Sequence, residues 1–273
     1  MRIPATIASA LLAMMMTLFS GAAHAQFSNC QAIASTAPWL KLASFTNADS
    51  NDRFSVSITY VGHSTFRIEA PDGTVIATDF TGYGGDGPLP NVVTMNHAHT
   101  SHWTPYPDPS IEHVLRGWNP TGDGPAQHFL QLGDTVIRNV ATDIRRYGSV
   151  EKDGNSIFIF EIAGLCIGHL GHLHQPLSNE QIAQIGRLDI VFVPIDGTFT
   201  MNQAEMMRVV ERLRSSLVIP MHWWSAYSLA TFVSQTGDDG LEIERSNEPT
   251  MTVSLNTLPD RPTMLVLPRQ FPF

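Results

Sequence analysis

Apolar and polar residues alternate early and repeatedly in this chain. SVSITYVG (55–62) and STFRIEA (64–70) carry the period of two that marks half-buried strands. PDG (71–73) supplies turn chemistry, and TVIATDF (74–80) follows as a third strand. Beyond the Gly/Pro-rich loop TGYGGDGPLP (81–90), NVVTMNH (91–97) predicts a short strand. Residues 101–130 mix Pro, Trp, Gly and Asp without a period and read as a long surface excursion. TVIRNVAT (135–142), SIFIFEIAG (156–164) and LCIGHLG (165–171) restore the strand pattern.

The second half changes character. Ser178 stands three residues before Gln181 in SNEQIAQIGR (178–187), a capping box ahead of a helix. Asn202 and Glu205 repeat that spacing before MMRVVERL (206–213), whose apolar positions keep helical spacing. DIVFVPID (189–196) and SLVIPMHWW (216–224) are near-continuous apolar runs, as expected of strands covered on both faces. Strand-rich meanders followed by strand–helix–strand units, with no fixed repeat and no linker, predict one α/β domain.

The N-terminus stands apart. MRIPATIASALLAMMMTLFSGAAHAQ has one early cation, Arg2, an apolar run from Ile7 to Phe19, and small residues ending in Ala-His-Ala. That is a secretory signal over residues 1–25, cleaved after Ala25, which leaves 26–273 as the domain and the periplasm or exterior as its location. The apolar run is shorter than the ~20 residues a span needs, so no integral membrane span is expected. A formal charge of −9 and the absence of any Lys/Arg run argue against a nucleic-acid partner. A small-molecule substrate fits better; nothing sets the oligomeric state. Cys30 and Cys166 could pair in an exported protein, but two buried free thiols are the blander expectation.

The chemistry lies in the histidines. Neither a G-x-S-x-G elbow nor a Cys–His signature is present, which disfavours a serine or cysteine hydrolase. MNHAHTSHW (95–103) instead puts His97, His99 and His102 within six positions. HLGHLH adds His169, His172 and His174, and IPMHW adds His222. In an extended segment His97 and His99 point to one side, and His102 can fold back if the chain turns at Thr100-Ser101. Neutral imidazoles converging on one point make a transition-metal site. Zinc is the default, one ion or two, and spacing alone leaves iron and manganese open.

HAHTSH (97–102) after an apolar strand resembles the H-x-H-x-D-H motif of the metallo-β-lactamase superfamily. YVGHSTFRIEAPDGTVIATDF (60–80), IGHLGHLHQPLSNEQIAQIGRLDIVFVPIDG (167–197) and VIPMHW (218–223) resemble its ascorbate-6-phosphate-lactonase-like branch. The resemblance implies a four-layer αββα sandwich with the metal site at the strand ends between two sheets. It places His97, His99, His102 and His222 on ligand positions and Asp79 beneath the site, orienting a ligand. His63 belongs to the same stretch, as a structural hydrogen-bonder or in a direct role.

Three departures set this chain apart from that pattern. Ser101 and His172 stand where the family has metal-binding aspartates, and no histidine occurs between His128 and His169. Asp143 is the only obvious substitute there. An all-imidazole site cannot offset the repulsion between two dications, which favours one ion, or a tight site plus a weak one. His97, His99 and His172 or His222 would hold it, with His169 and His174 close by. Asp196 either hydrogen-bonds the site or caps a strand end. The function expected is metal-bound hydroxide attacking an ester, lactone, amide or phosphodiester. The alternative is a non-hydrolytic metal-binding or redox protein on the same fold.

Overall fold

The computed structural model describes residues 28–31, 54–146, 148–236 and 240–271. The expected signal, residues 1–25, lies outside them. Two sheets pack face to face. One holds β1 (Val56–Gly62), β2 (Thr65–Glu69), β3 (Val75–Ala77), β4 (Val92–Met95) and β5 (His113–Arg116), with β13 (Thr250–Val253) beside β1. The other holds β6 (Phe129–Leu132), β7 (Thr135–Arg146), β8 (Ser149–Ile162), β9 (Leu165–His169), β10 (Ile190–Pro194) and β11 (Leu217–Met221). Beyond β11 it is completed by β14 (Thr263–Val266) and β12 (Glu242–Arg245).

Strand alternation sorts side chains into separate cores. Val56, Ile58, Phe66, Ile76 and Val92 from the first sheet meet Phe158, Phe160, Ile167, Phe192 and Ile219 from the second. Phe66 stacks on Phe192 across the gap, ring centroids 4.0 Å apart. The intervening residues Ile159, Cys166, Val191 and Val218 point to the opposite face. There they are covered by α1 (Asn179–Ile185), α2 (Gln203–Leu213) and α3 (Ala226–Val233). The runs 189–196 and 216–224 are continuously apolar because both faces of β10 and β11 are buried. On the outer face of the first sheet, Ala77, Val93 and Met95 lie under Trp103, Ile111 and Trp118. The α/β sandwich is therefore the expected one, with the excursion after β4 serving as cover for its sheet.

Some local expectations change. The excursion contains β5, parallel to β4. The β7–β8 hairpin runs well past the apolar stretches, because SVEKDG (149–154) is mostly polar and carries no periodic signal. Ser178 and Gln181 form the full capping box. Asn202 caps α2, but Glu205 pairs with Arg208.

The cysteines are not free. Cys30 and Cys166 form a disulfide with Cα atoms 5.9 Å apart, tying residues 28–31 to the buried strand β9. Ser28 and Arg138 both reach the carboxylate of Glu161 beside it. A crosslink across 136 residues restricts the unfolded chain strongly. Cys30→Ser is expected to lose about 2–5 kcal/mol in urea unfolding. Coincident transitions for the two proteins would refute a stabilising role.

Candidate metal centre

Every histidine of the centre follows a parallel strand. His99 and His102 lie beyond β4, His172 beyond β9, and His222 directly after β11. Asp79 follows β3 and Asp196 follows β10. These are carboxyl ends of strands, where α/β sheets gather functional side chains. The backbone is constrained there: His63, Asp79 and His222 have φ of +52°, +42° and +56°. Such strain in non-glycine residues persists only where surroundings impose it. The His63 carbonyl accepts from the His222 amide at 2.7 Å and the Tyr60 hydroxyl at 2.8 Å, stitching the β1–β2 turn to the end of β11.

One ring nitrogen from each of His99, His102, His172 and His222 lies within 4.8 Å of the others. Nε2 of His102 faces Nε2 of His222 at 3.1 Å, and Nε2 of His99 faces Nε2 of His172 at 3.0 Å. Behind them, His102 Nδ1 meets Asp79 Oδ2 at 2.6 Å and His222 Nδ1 meets Asp196 Oδ1 at 3.0 Å. With both acids as carboxylates, both Nδ1 atoms carry the hydrogen. Two Nε2 lone pairs then point at each other, an arrangement that a cation resolves. The donor set fits a transition ion, and carboxylate–histidine pairs of this kind back metal ligands.

The remaining imidazoles are backed too. His99 Nδ1 bonds Ser101 Oγ at 2.6 Å, and the same hydroxyl reaches His63 Nε2 at 2.9 Å. His172 Nδ1 bonds His174 Nε2 at 2.7 Å. Asp79 also accepts from Asn96 Nδ2 at 2.9 Å. Asp196 accepts from the amides of Thr198 and Phe199 and the hydroxyl of Thr200, so it both orients His222 and braces the turn after β10.

Two expected ligands lie elsewhere. Segment 97–102 is not extended: the His102 amide bonds the His99 carbonyl, and the His97 amide is pinned to Gly154 of β8. The turn swings His97 away, onto Glu151 at 2.5 Å and against Trp118. His169 spends both nitrogens on backbone, Nε2 on the Ser64 carbonyl and Nδ1 on the Gly171 amide. Asp143 receives the Asp153 amide and is not part of the cluster. His97→Ala is accordingly expected to keep its metal and His99→Ala to lose it, as measured by mass spectrometry of the native proteins. Equal loss in both would contradict this geometry.

Asn96 and Asn155 were not legible as site residues. Asn155 Oδ1 receives the His172 amide at 2.7 Å, and Asn96 Oδ1 receives the Ser156 amide. Gly171 seals the arrangement: at φ +59°, a Cβ there would meet Asn155 Oδ1 at 2.4 Å and Asn96 Nδ2 at 2.5 Å. A single buried amide leaves no periodic trace in a sequence.

Burial favours the neutral, metal-binding form of His102 and His172. It pushes His102 and His172 well below the ordinary histidine value, with the neighbouring imidazoles adding to the shift. Burial, then His222 and His102, drives His63 down to about 2, and burial also lowers His169. Burial pushes Asp79 up, against the pull of His169 and Asn96. For Asp196 burial is outweighed by the hydrogen bonds and charge of His222 and Thr200, so its carboxyl is held low. The four lowered histidines bind protons in the unfolded chain before the folded one. Stability is therefore complete above pH ~6.5 and falls as pH drops below it. Asp79, shifted the other way, offsets one of them where its range overlaps. Urea unfolding of chelated protein at pH 7.5 and 5.5 should show the loss; unchanged midpoints would mean these rings protonate freely.

Fold and histidine centre together define a metal-binding αβ sandwich, and the comparisons place it. A family model described as a beta-lactamase superfamily domain matches residues 57–222, from β1 to the last histidine of the centre. The chain belongs to the beta-lactamase superfamily. Metal-dependent hydrolases of Methanoculleus marisnigri and Methanospirillum hungatei are each 25% identical to it, over 61% and 62% of this chain and 80% and 83% of theirs. A Thermotoga maritima structure, described as a Zn-dependent hydrolase of the metallo-beta-lactamase superfamily, aligns with a TM-score of 0.56 at 25% identity. That alignment covers 79% of this chain and 100% of the other. A Parabacteroides distasonis structure shares the fold at TM-score 0.55 and 16% identity, over 68% and 90% of the two chains. The lactonase-like branch is narrower than these matches reach.

Proposed function

We propose that this protein is an exported metal-dependent hydrolase working through one zinc ion held by His99, His102, His172 and His222. The observation that carries the reading is the pair of Nε2 atoms facing each other at 3.1 Å, each ring backed by a buried carboxylate. When bound, the ion supplies Lewis acidity and lowers the pKa of water toward 7. His99, His102, His172 and His222 would hold the ion, and the cavity lined by His99 and His172 would give a substrate access to it.

The chain's own residues do the rest. Asp79 and Asp196 fix the tautomer and direction of His102 and His222, and Ser101 does the same for His99. Trp224 lines both cavities beside the centre and Phe199 lines the smaller. The substrate is a small molecule carrying an ester, lactone, amide or phosphodiester. Superfamily membership and the hydrolases among the relatives support this class. Export is supported by the Cys30–Cys166 disulfide, since such bonds persist in oxidising compartments.

A colorimetric ester, lactone, amide and phosphodiester panel, run with and without chelator, tests the activity. Hydrolysis lost on chelation and restored by zinc is expected. A metallated protein inert across the panel would instead make it a non-hydrolytic metal-binding protein on the same fold. N-terminal sequencing from a periplasmic extract should begin at Gln26, and an intact Met1 in the cytoplasm would end the export proposal.

A further inference from the structure

Two cavities meet at the histidine centre, and they differ in chemistry. The larger, about 820 Å³, has Val61, Tyr83, Trp224 and Phe271 in its walls, with His63 and Ser101 on the side of the metal centre. Its one acidic liner among the described residues, Asp86, is bonded to the Tyr83 hydroxyl and to Gln270, which places a negative charge at that end. The smaller, about 580 Å³, is lined by His99, His172 and His174 together with Arg145 and Phe199, and among the described residues no acidic side chain lines it.

Trp224 belongs to both cavities. It is 57% exposed and packs 4.9 Å from His63. Tyr83 and Phe271, also exposed, meet edge to face at 5.2 Å. So much accessible aromatic surface beside a polar centre marks a ligand surface rather than a core. Each volume falls within the range that holds a drug-sized group. Ser101 lines the larger cavity and bonds His99 of the smaller, so the larger cavity reaches the metal centre through this pair.

We infer that the substrate is an amphiphilic ester: an apolar acyl arm fills the larger cavity, and an oxyanion-bearing leaving group lies beside Arg145 in the smaller. This rests on the hydrolase reading above. Asp86 repels the anion from one end and Arg145 attracts it to the other, so the two ends are not interchangeable. The acyl–oxygen bond breaks between them. Water gives its hydroxyl to the acyl carbon and its proton to the departing oxygen.

The test uses 4-acyloxybenzoates with C2, C4 and C8 acyl chains, and the matching neutral 4-acyloxybenzamides, on the zinc-loaded protein. For the benzoates, kcat/KM is expected to rise about two- to fourfold per methylene, as burial of each CH2 allows. Benzoates should exceed benzamides about tenfold, as a charge-assisted contact allows. Trp224→Ala should flatten the chain-length gain, and Arg145→Gln should erase the preference for benzoate.

Chelator-sensitive hydrolysis that is indifferent to chain length and charge overturns the inference and leaves the hydrolase reading standing. Calorimetry with the non-hydrolysable ethers 4-octyloxybenzoate, 4-methoxybenzoate and 4-octyloxybenzamide separates the two further. Tighter binding of the first than of the other two, weakened in both variants, supports the inference even if no ester is cleaved. Equal affinity for all three refutes it.

Discussion

Asparagine at His222 is expected to leave the protein folded but nearly metal-free, with hydrolysis lowered by roughly a thousandfold, the several kcal/mol that a metal Lewis acid supplies. His222 contributes Nε2 to the cluster and its amide to the His63 carbonyl. The substitution removes the first and keeps the second. Its backbone is left-handed at φ +56°, a conformation that asparagine tolerates better than alanine. Asp196, deprived of the ring, still accepts from Thr198, Phe199 and Thr200, so no buried carboxylate is orphaned. Elemental analysis beside circular dichroism reads both halves of the prediction. A folded variant with its full complement of metal would show that the centre lies elsewhere.

The second large effect concerns stoichiometry. Two dications about 4 Å apart repel by on the order of 16 kcal/mol at an effective dielectric of 20, so a dinuclear centre needs anionic ligands between its ions. His172 cannot serve as one. Its Nδ1 is engaged by His174, only Nε2 faces the cluster, and a neutral imidazole binds end-on. Ser101 supplies a hydroxyl where a carboxylate would bind. Titration calorimetry of the wild type is expected to give about one tight ion per chain. The double variant Ser101→Asp/His172→Asp adds two negative charges at the centre and should move the count toward two. Two equally tight sites in the wild type would refute this account of His172.

Much of the frame was legible in the sequence because sheets obey a period of two. The same alternation that marked 55–70 as strands sends Ile58 and Phe66 between the sheets. β12 to β14 are short; β13 pairs with β1 and β14 with β11, both far away in sequence, and β12 pairs only with β14. At the centre, residue type was informative and direction was not. His99, His102, His172 and His222 converge, while His97 leaves, because side-chain direction depends on turns that spacing does not encode. The disulfide was missed for a similar reason. Cys166 looks like an ordinary core residue of β9 until residues 28–31 are seen lying across it.

The origin of the four imidazoles has a consequence for the physiology of the molecule. His99 and His102 follow a strand of one sheet, and His172 and His222 follow strands of the other. An ion bound among them is also a rivet joining the halves of the sandwich. Each tenfold excess of free ion over its dissociation constant would deepen the native basin by about 1.4 kcal/mol. Resistance to heat and proteolysis would then follow the free-metal concentration of the surroundings, and starvation for the ion would thin the population of intact molecules as well as silence those that remain.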